Sequence, residues 1–144
     1  MSDDEPTIFE RIVDGDLPGH VIYEDETTAA FLDANPIRRG HTLVVPKEPH
    51  QRLRETPQGL VQDVFGTVRT VAPWIEEAVG ADGLNIGVND GPAAGQEVHH
   101  LHVHIVPRHE GDGGGPTIGG PRERHSDEEF AETAADIRAA GDGD

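Results

Sequence analysis

Residues Gln96 to Arg108 read QEVHHLHVHIVPR, and in this stretch His100, His102 and His104 alternate with Leu101, Val103 and Ile105. Side chains two apart share a face of a strand, so an extended segment from Val98 to Val106 would set three imidazoles on one side and three aliphatics in the core on the other. A helix would scatter the same residues around its axis, and β-branched Val103 and Ile105 favour the strand. Three readings of the imidazole row compete. A neutral histidine is nucleophilic near neutral pH and can attack phosphorus, passing the phosphoryl group on to water. A His-x-His pair on a strand can also ligate a metal. Buried histidines can equally be structural, satisfied by hydrogen bonds. Spacing alone leaves nucleophile and metal site level. The neighbouring run Asn85 to Gln96 (NIGVNDGPAAGQ) supplies amide side chains and flexible backbone N–H groups, which suit phosphate oxygens better than a cation.

Working outward, Leu84 to Val88 makes a strand that pairs with the histidine strand across the Gly-rich turn Asn89–Gly95. Upstream, apolar positions recur every three or four residues from Leu60 to Val79, with Thr56 as N-cap and Gly80 as terminator, and predict one long helix over 57–79. Pro73 inside it predicts a kink or break. His20 to Glu24, Thr27 to Leu32 and Thr42 to Val45 read as three strands of a meander. Thr7 and Glu10 form a capping-box pattern ahead of a short helix over 8–14 that Gly15 ends. The expected fold class is α+β: a five-stranded antiparallel sheet with a short N-terminal helix and one long helix, helices on one face. The organisation reads as a folded unit over 1–108, a Gly/Pro-rich linker over 109–125 without core potential, and a C-terminal helix with an acidic tail over 126–144, with Ser126 and Glu129 as its cap.

His100-Leu-His-Val-His-Ile-Val106, together with Ile8-Phe9, Leu17-Pro18, Tyr23-Glu-Asp25, Ala30-Phe-Leu-Asp33, Gly40-His-Thr-Leu-Val-Val-Pro-Lys47 and Asn89-Asp-Gly91, resembles the histidine triad (HIT) superfamily, and within it the Hint-like branch. The resemblance runs from about Ile8 to Arg108. It implies a homodimer whose two sheets join into one ten-stranded sheet, binding a purine nucleotide and cleaving NMP–X substrates through a nucleotidyl-histidine intermediate. Nucleoside phosphoramidates, adenylylated amines and dinucleoside polyphosphates are the substrate classes it implies. By position His102 would be the nucleophile, His100 would orient it, His104 would contact phosphate or leaving group, and His41 would support the row from a neighbouring strand. Asn89, Gln96, Glu97 and Val98 match phosphate contacts, the last by its backbone N–H. Asp33 matches the ribose-hydroxyl acceptor, and Ile8, Phe9, Ile12, Leu17, Phe31 and Leu32 match the base pocket. Glu97 stands where relatives often carry Ser or Thr, so only its backbone contact carries over. Thr7 and Glu10 replace a Cys-x-x-Cys pair, which argues against structural zinc and leaves Glu10, His50 and His100 as a weak remnant of a zinc site. No cofactor is required by this chemistry, although a polyphosphate substrate could bring magnesium. A nucleotide-binding regulatory or scaffold protein with little turnover is the alternative, and a metal-dependent hydrolase the third reading.

The composition narrows the setting. A chain of 144 residues suits one domain, and its lack of cysteine removes disulfides, thiolate metal sites and cysteine nucleophiles. No long apolar run and an acidic N-terminus (MSDDEPT) point to a cytoplasmic protein. Eleven Lys+Arg against 28 Asp+Glu give a formal charge of −17, with Lys47 the only lysine. Such a surface repels nucleic acid and anionic membranes. It also repels itself in dilute buffer, whereas molar salt shortens the screening length to about 3 Å, which points to a salt-rich, halophilic cytoplasm. The melting temperature is accordingly expected to rise between low and molar potassium chloride, and an unchanged value would contradict that reading.

Overall fold

The computed structural model describes residues 6–115 and 117–142. Five strands, β1 (Val21–Glu24), β2 (Thr28–Leu32), β3 (Thr42–Pro46), β4 (Gly83–Gly87) and β5 (Val103–Arg108), form one antiparallel sheet in the order β1-β2-β3-β5-β4. Three helices accompany it: α1 (Ile8–Asp14), α2 (Gln58–Val79) and α3 (Asp127–Asp142). The α+β expectation holds, with strand ends moved by a residue or so except in β5. Among the described residues no helix is long and apolar enough to cross a membrane.

The two sheet faces are covered by different helices, which corrects the expectation that all helices share one face. Ala30, Leu32, Val44, Val103 and Ile105 point toward α2 and α3, where Val64, Val68, Val71, Ile75, Ala134 and Ile137 complete the core. Ala29, Phe31, Leu43 and Val45 alternate with them and meet Phe9 of α1 on the opposite face. The capping box is present: the Glu10 N–H donates to Thr7 Oγ1, and the Thr7 N–H donates to Glu10 Oε1 at 2.9 Å. Gly15 ends the helix at φ 84°, a conformation that disfavours any residue with a Cβ.

Helix α2 departs from expectation twice. Its N-cap is Pro57, while the Thr56 hydroxyl donates to the Arg52 carbonyl at 2.9 Å and closes the preceding turn. It also runs through Pro73 without a break. A proline inside a helix costs about 3 kcal/mol, whereas each fully buried Val or Ile side chain contributes roughly 1.5–3 kcal/mol. Val64, Val68, Val71 and Ile75, none more than 5 % exposed, therefore outweigh the lost hydrogen bond.

Helix α3 is more than a tail. Ala134 and Ile137 are wholly buried in the same core that α2 covers, and Ser126 and Glu129 cap the helix as expected. The segment before it also returns to the body of the protein: Ile118 packs over Gly87, and the Glu123 N–H donates to the Pro36 carbonyl at 2.6 Å.

The histidine segment carries the main correction. The strand expected from Val98 begins only at Val103, so His104 lies on β5 while His100 and His102 precede it. Val44 opposes Val103 in the antiparallel ladder, so two residues after Val44 and two before Val103, Pro46 would oppose Leu101. Proline has no N–H to continue a ladder. Instead, the Leu101 N–H donates to the His50 carbonyl at 2.7 Å, in the loop beyond β3. The chain stays open enough for Leu101, Val103 and Ile105 to remain buried, while His102 and His104 line one cleft on the α1 face.

Candidate active site

Three of the four imidazoles have a nitrogen tied to a backbone group of fixed character, and the fourth, His104, takes its role from His41; these ties set the tautomers. The Ile37 N–H can only donate, so at 3.0 Å it fixes His41 Nδ1 as an acceptor. A neutral His41 then carries its proton on Nε2, which donates to His104 Nδ1 at 3.0 Å. His104 in turn carries its proton on Nε2. His102 is set the other way: its Nδ1 lies 2.7 Å from the His100 carbonyl, which can only accept, so Nδ1 is protonated and Nε2 keeps a free lone pair. His100 donates from Nε2 to the Pro46 carbonyl and accepts from the Thr7 hydroxyl at Nδ1, both at 2.7 Å. Two adjacent rings, 4.9 Å between centroids, thus offer opposite functions: a lone pair on His102 and an N–H on His104.

Electrostatics keep the row neutral. Burial pushes all four pKa values down from the usual imidazole value. His41 falls to about 3, by burial first and then by its neighbours His104, Arg122 and His102. His104 falls to about 4, by burial and then by His102 and Arg122. For His102 burial also lowers the pKa, opposed by the bond to the His100 carbonyl and by the carboxylates of Asp33 and Glu97. Burial raises the pKa of Asp33, against the Asn35 N–H and Arg122 that favour its charge.

A cleft of about 540 Å³ lies beside this row. Of the residues singled out in the sequence, Ile8, Phe9, Ile12, Phe31, Leu32, Asp33, Asn89, Glu97, Val98, His102 and His104 line it. Phe9 sets its ring edge-on to His102 at 4.9 Å, while Leu32 also packs in the helix-side core. Leu17 lies outside the lining, and His41 and His100 stand behind it as partners of the row. Gln96 is buried with its amide occupied by backbone: Oε1 accepts from Gly91, and Nε2 donates to the carbonyls of Gln51 and Val98. It shapes the loop and does not face the cleft. Gly91 in that loop has φ 98°, and a Cβ there would lie 3.0 Å from the Arg52 guanidinium, which with the Leu53 N–H holds Asp90. Among the described residues the backbone N–H groups of Glu97 and Val98 meet no protein acceptor.

Sequence reasoning missed several members of the site. His20, Asp127, Phe130 and Arg122 line the cleft, and Arg122 Nη1 reaches Asp33 Oδ2 at 3.3 Å. All but His20 follow the Gly-rich stretch, where no periodicity tells where the chain goes.

The fold, the histidine row and the cleft define a histidine triad protein, and the comparisons agree: the HIT domain model matches residues 14–111, and the chain belongs to that family. An uncharacterised HIT-like protein of Methanocaldococcus jannaschii is 50% identical over 107 residues, covering 74% of this chain and 81% of that one. The adenylylsulfatase HINT3 of Arabidopsis thaliana is 40% identical over 105 residues, 73% of this chain but 53% of the relative. A zinc-bound histidine triad protein of Mycobacterium smegmatis superposes with a TM-score of 0.83 at 39% identity, covering 94% of this chain and 93% of that one.

The donor groups that a zinc ion would need are engaged elsewhere in this structure. Both ring nitrogens of His100 are engaged, Glu10 caps Thr7, and His50 Nε2 bonds Glu48 at 2.7 Å, so the remnant set does not converge. Asp33, His41 and His104 bring ligand atoms within 4.8 Å of one another. There, however, the His41–His104 bond and the Arg122 cation already occupy the groups a metal would need.

A histidine buried neutral binds its proton only after unfolding, so the stability it confers is present above the unfolded pKa near 6.5 and is lost as pH falls toward the folded value. For His41 that window runs from about 6.5 down to about 3. Urea unfolding of wild type between pH 6.5 and 5 should therefore fall more steeply than that of His41→Gln, by up to about 1.4 kcal/mol per pH unit. Parallel slopes would show that His41 is not held neutral.

Proposed function

We propose that this protein cleaves nucleotidyl compounds NMP–X by covalent catalysis at His102. The observation that carries the reading is the bond from His102 Nδ1 to the His100 carbonyl, which leaves the Nε2 lone pair as the acceptor of the row at the cleft. Nε2 attacks the α-phosphorus and the P–X bond breaks; X leaves, taking a proton from solvent where it needs one, while the His104 Nε2–H donates a hydrogen bond to X or to a phosphoryl oxygen. Water then attacks phosphorus and gives its proton to solvent, the P–N bond breaks, and NMP leaves while the His102 lone pair is restored. The N–H groups of Glu97 and Val98, with Asn89, would hold the non-bridging oxygens, and no step calls for a metal.

Asp33 at the inner wall would accept the ribose hydroxyls, and Ile8, Phe9, Ile12 and Phe31 would flank a purine. The relative named an adenylylsulfatase supports adenylyl compounds with a good leaving group, and phosphoramidates and dinucleoside polyphosphates fit the same chemistry. A homodimer joined into one ten-stranded sheet belongs to the proposal. Its support is the open edge of β4, where Ile86 is 46 % exposed.

Rapid quenching with an adenylyl phosphoramidate or adenylyl sulfate, followed by peptide mass spectrometry, should find an adenylyl adduct on His102. His102→Ala should lose the adduct and at least roughly a thousandfold in turnover. Adduct on another residue, or turnover preserved in the variant, would reject the mechanism.

A further inference from the structure

The cleft proposed to hold a nucleotide is lined by three carboxylates, Asp33, Glu97 and Asp127, and by a single cation, Arg122. A phosphate entering this site meets an electrostatic obstacle that neutral histidines cannot remove, because two like charges at close range repel strongly in a partly buried setting. Glu97 sharpens the obstacle: its charge is felt at His102, beside the place where the phosphorus must come.

Arg122 lies in the segment between the Gly-rich stretch and α3, outside the residues 14–111 that the family model matches. Three contacts bring it to the cleft. The Glu123 N–H is tied to the Pro36 carbonyl, and Arg122 Nη1 donates to the Asn35 carbonyl at 2.8 Å and to Asp33 Oδ2 at 3.3 Å. Both side-chain bonds run from one nitrogen, so among the described residues Nε and Nη2 have no partner, and the side chain is 40 % exposed. Its charge reaches the histidine row, where it helps to hold both His41 and His104 neutral.

We propose that Arg122 is a further phosphate-recognising residue of this site, its unused guanidinium edge binding the substrate's phosphate oxygens while Nη1 keeps Asp33 and the 33–36 loop in place. The inference rests on the nucleotide reading above and adds a specific residue from outside the family core. Guanidinium suits the task because it is always charged and presents several donors in one plane, so one edge can serve the loop and another the ligand.

The test is calorimetric titration of wild type, Arg122→Ala and Arg122→Lys with AMP and with adenosine, each variant checked for an unchanged melting profile. A hydrogen-bonded charge contact of this kind predicts that Arg122→Ala weakens AMP binding by roughly tenfold or more. Adenosine, which registers only the loosened Asp33 and its loop, should lose affinity by a clearly smaller factor than AMP, and Arg122→Lys should recover part of the AMP loss. Equal losses for AMP and adenosine would assign Arg122 to holding the loop alone and overturn the proposal, as would no loss for either. Failure of wild type itself to bind AMP would instead reject the nucleotide reading.

Discussion

Imidazoles packed in one row would be chemically equivalent if nothing told them apart, and what tells them apart is the backbone group that each meets directly or, for His104, through His41. A backbone N–H at Ile37 begins one chain of donation that ends with a proton on His104 Nε2. A backbone carbonyl at His100 takes the proton of His102 Nδ1 and leaves the other nitrogen bare. Backbone groups cannot change character with pH, so the polarity of the row is built into the fold. Burial supplies the second condition by keeping the rings neutral, because a protonated His102 would have no lone pair to offer.

The fold serves this arrangement through one interruption. Pro46 ends β3 as a ladder partner, and the freed strand opposite it turns its polar groups elsewhere: the Pro46 carbonyl receives His100, and His50 receives the Leu101 N–H. A regular strand through His100 would have directed the same backbone groups into sheet bonds. The geometry of the histidine row therefore depends on a short stretch that leaves the sheet while keeping the alternation that buries Leu101, Val103 and Ile105.

Much of this was legible in the residues. The alternation of histidine with aliphatics announced a shared face, the capping box of Thr7 and Glu10 announced α1, and the apolar spacing of α2 announced a helix despite Pro73. What stayed hidden depended on contacts distant in sequence. The bond between Thr7 and His100 spans 93 positions, and Arg122 meets Asp33 across 89, with no local pattern to mark either. Gln96 was ambiguous for a related reason: an amide beside a Gly-rich turn can face a ligand or brace the turn, and only the position of Gly91 and Gln51 shows that its amide bonds the backbone here. The placement of α1 opposite the other helices followed from which alternate residues of β2 and β3 each helix could cover, and alternation alone does not say which face receives which helix.

The account turns on the distinct tautomers of His102 and His104, and long-range nitrogen–proton correlation NMR of histidine-labelled protein at neutral pH reads them directly. The prediction is a proton on Nδ1 with bare Nε2 for His102, and a bare Nδ1 with protonated Nε2 for His104. Finding His102 protonated on Nε2, or both rings in the same tautomer, would contradict it.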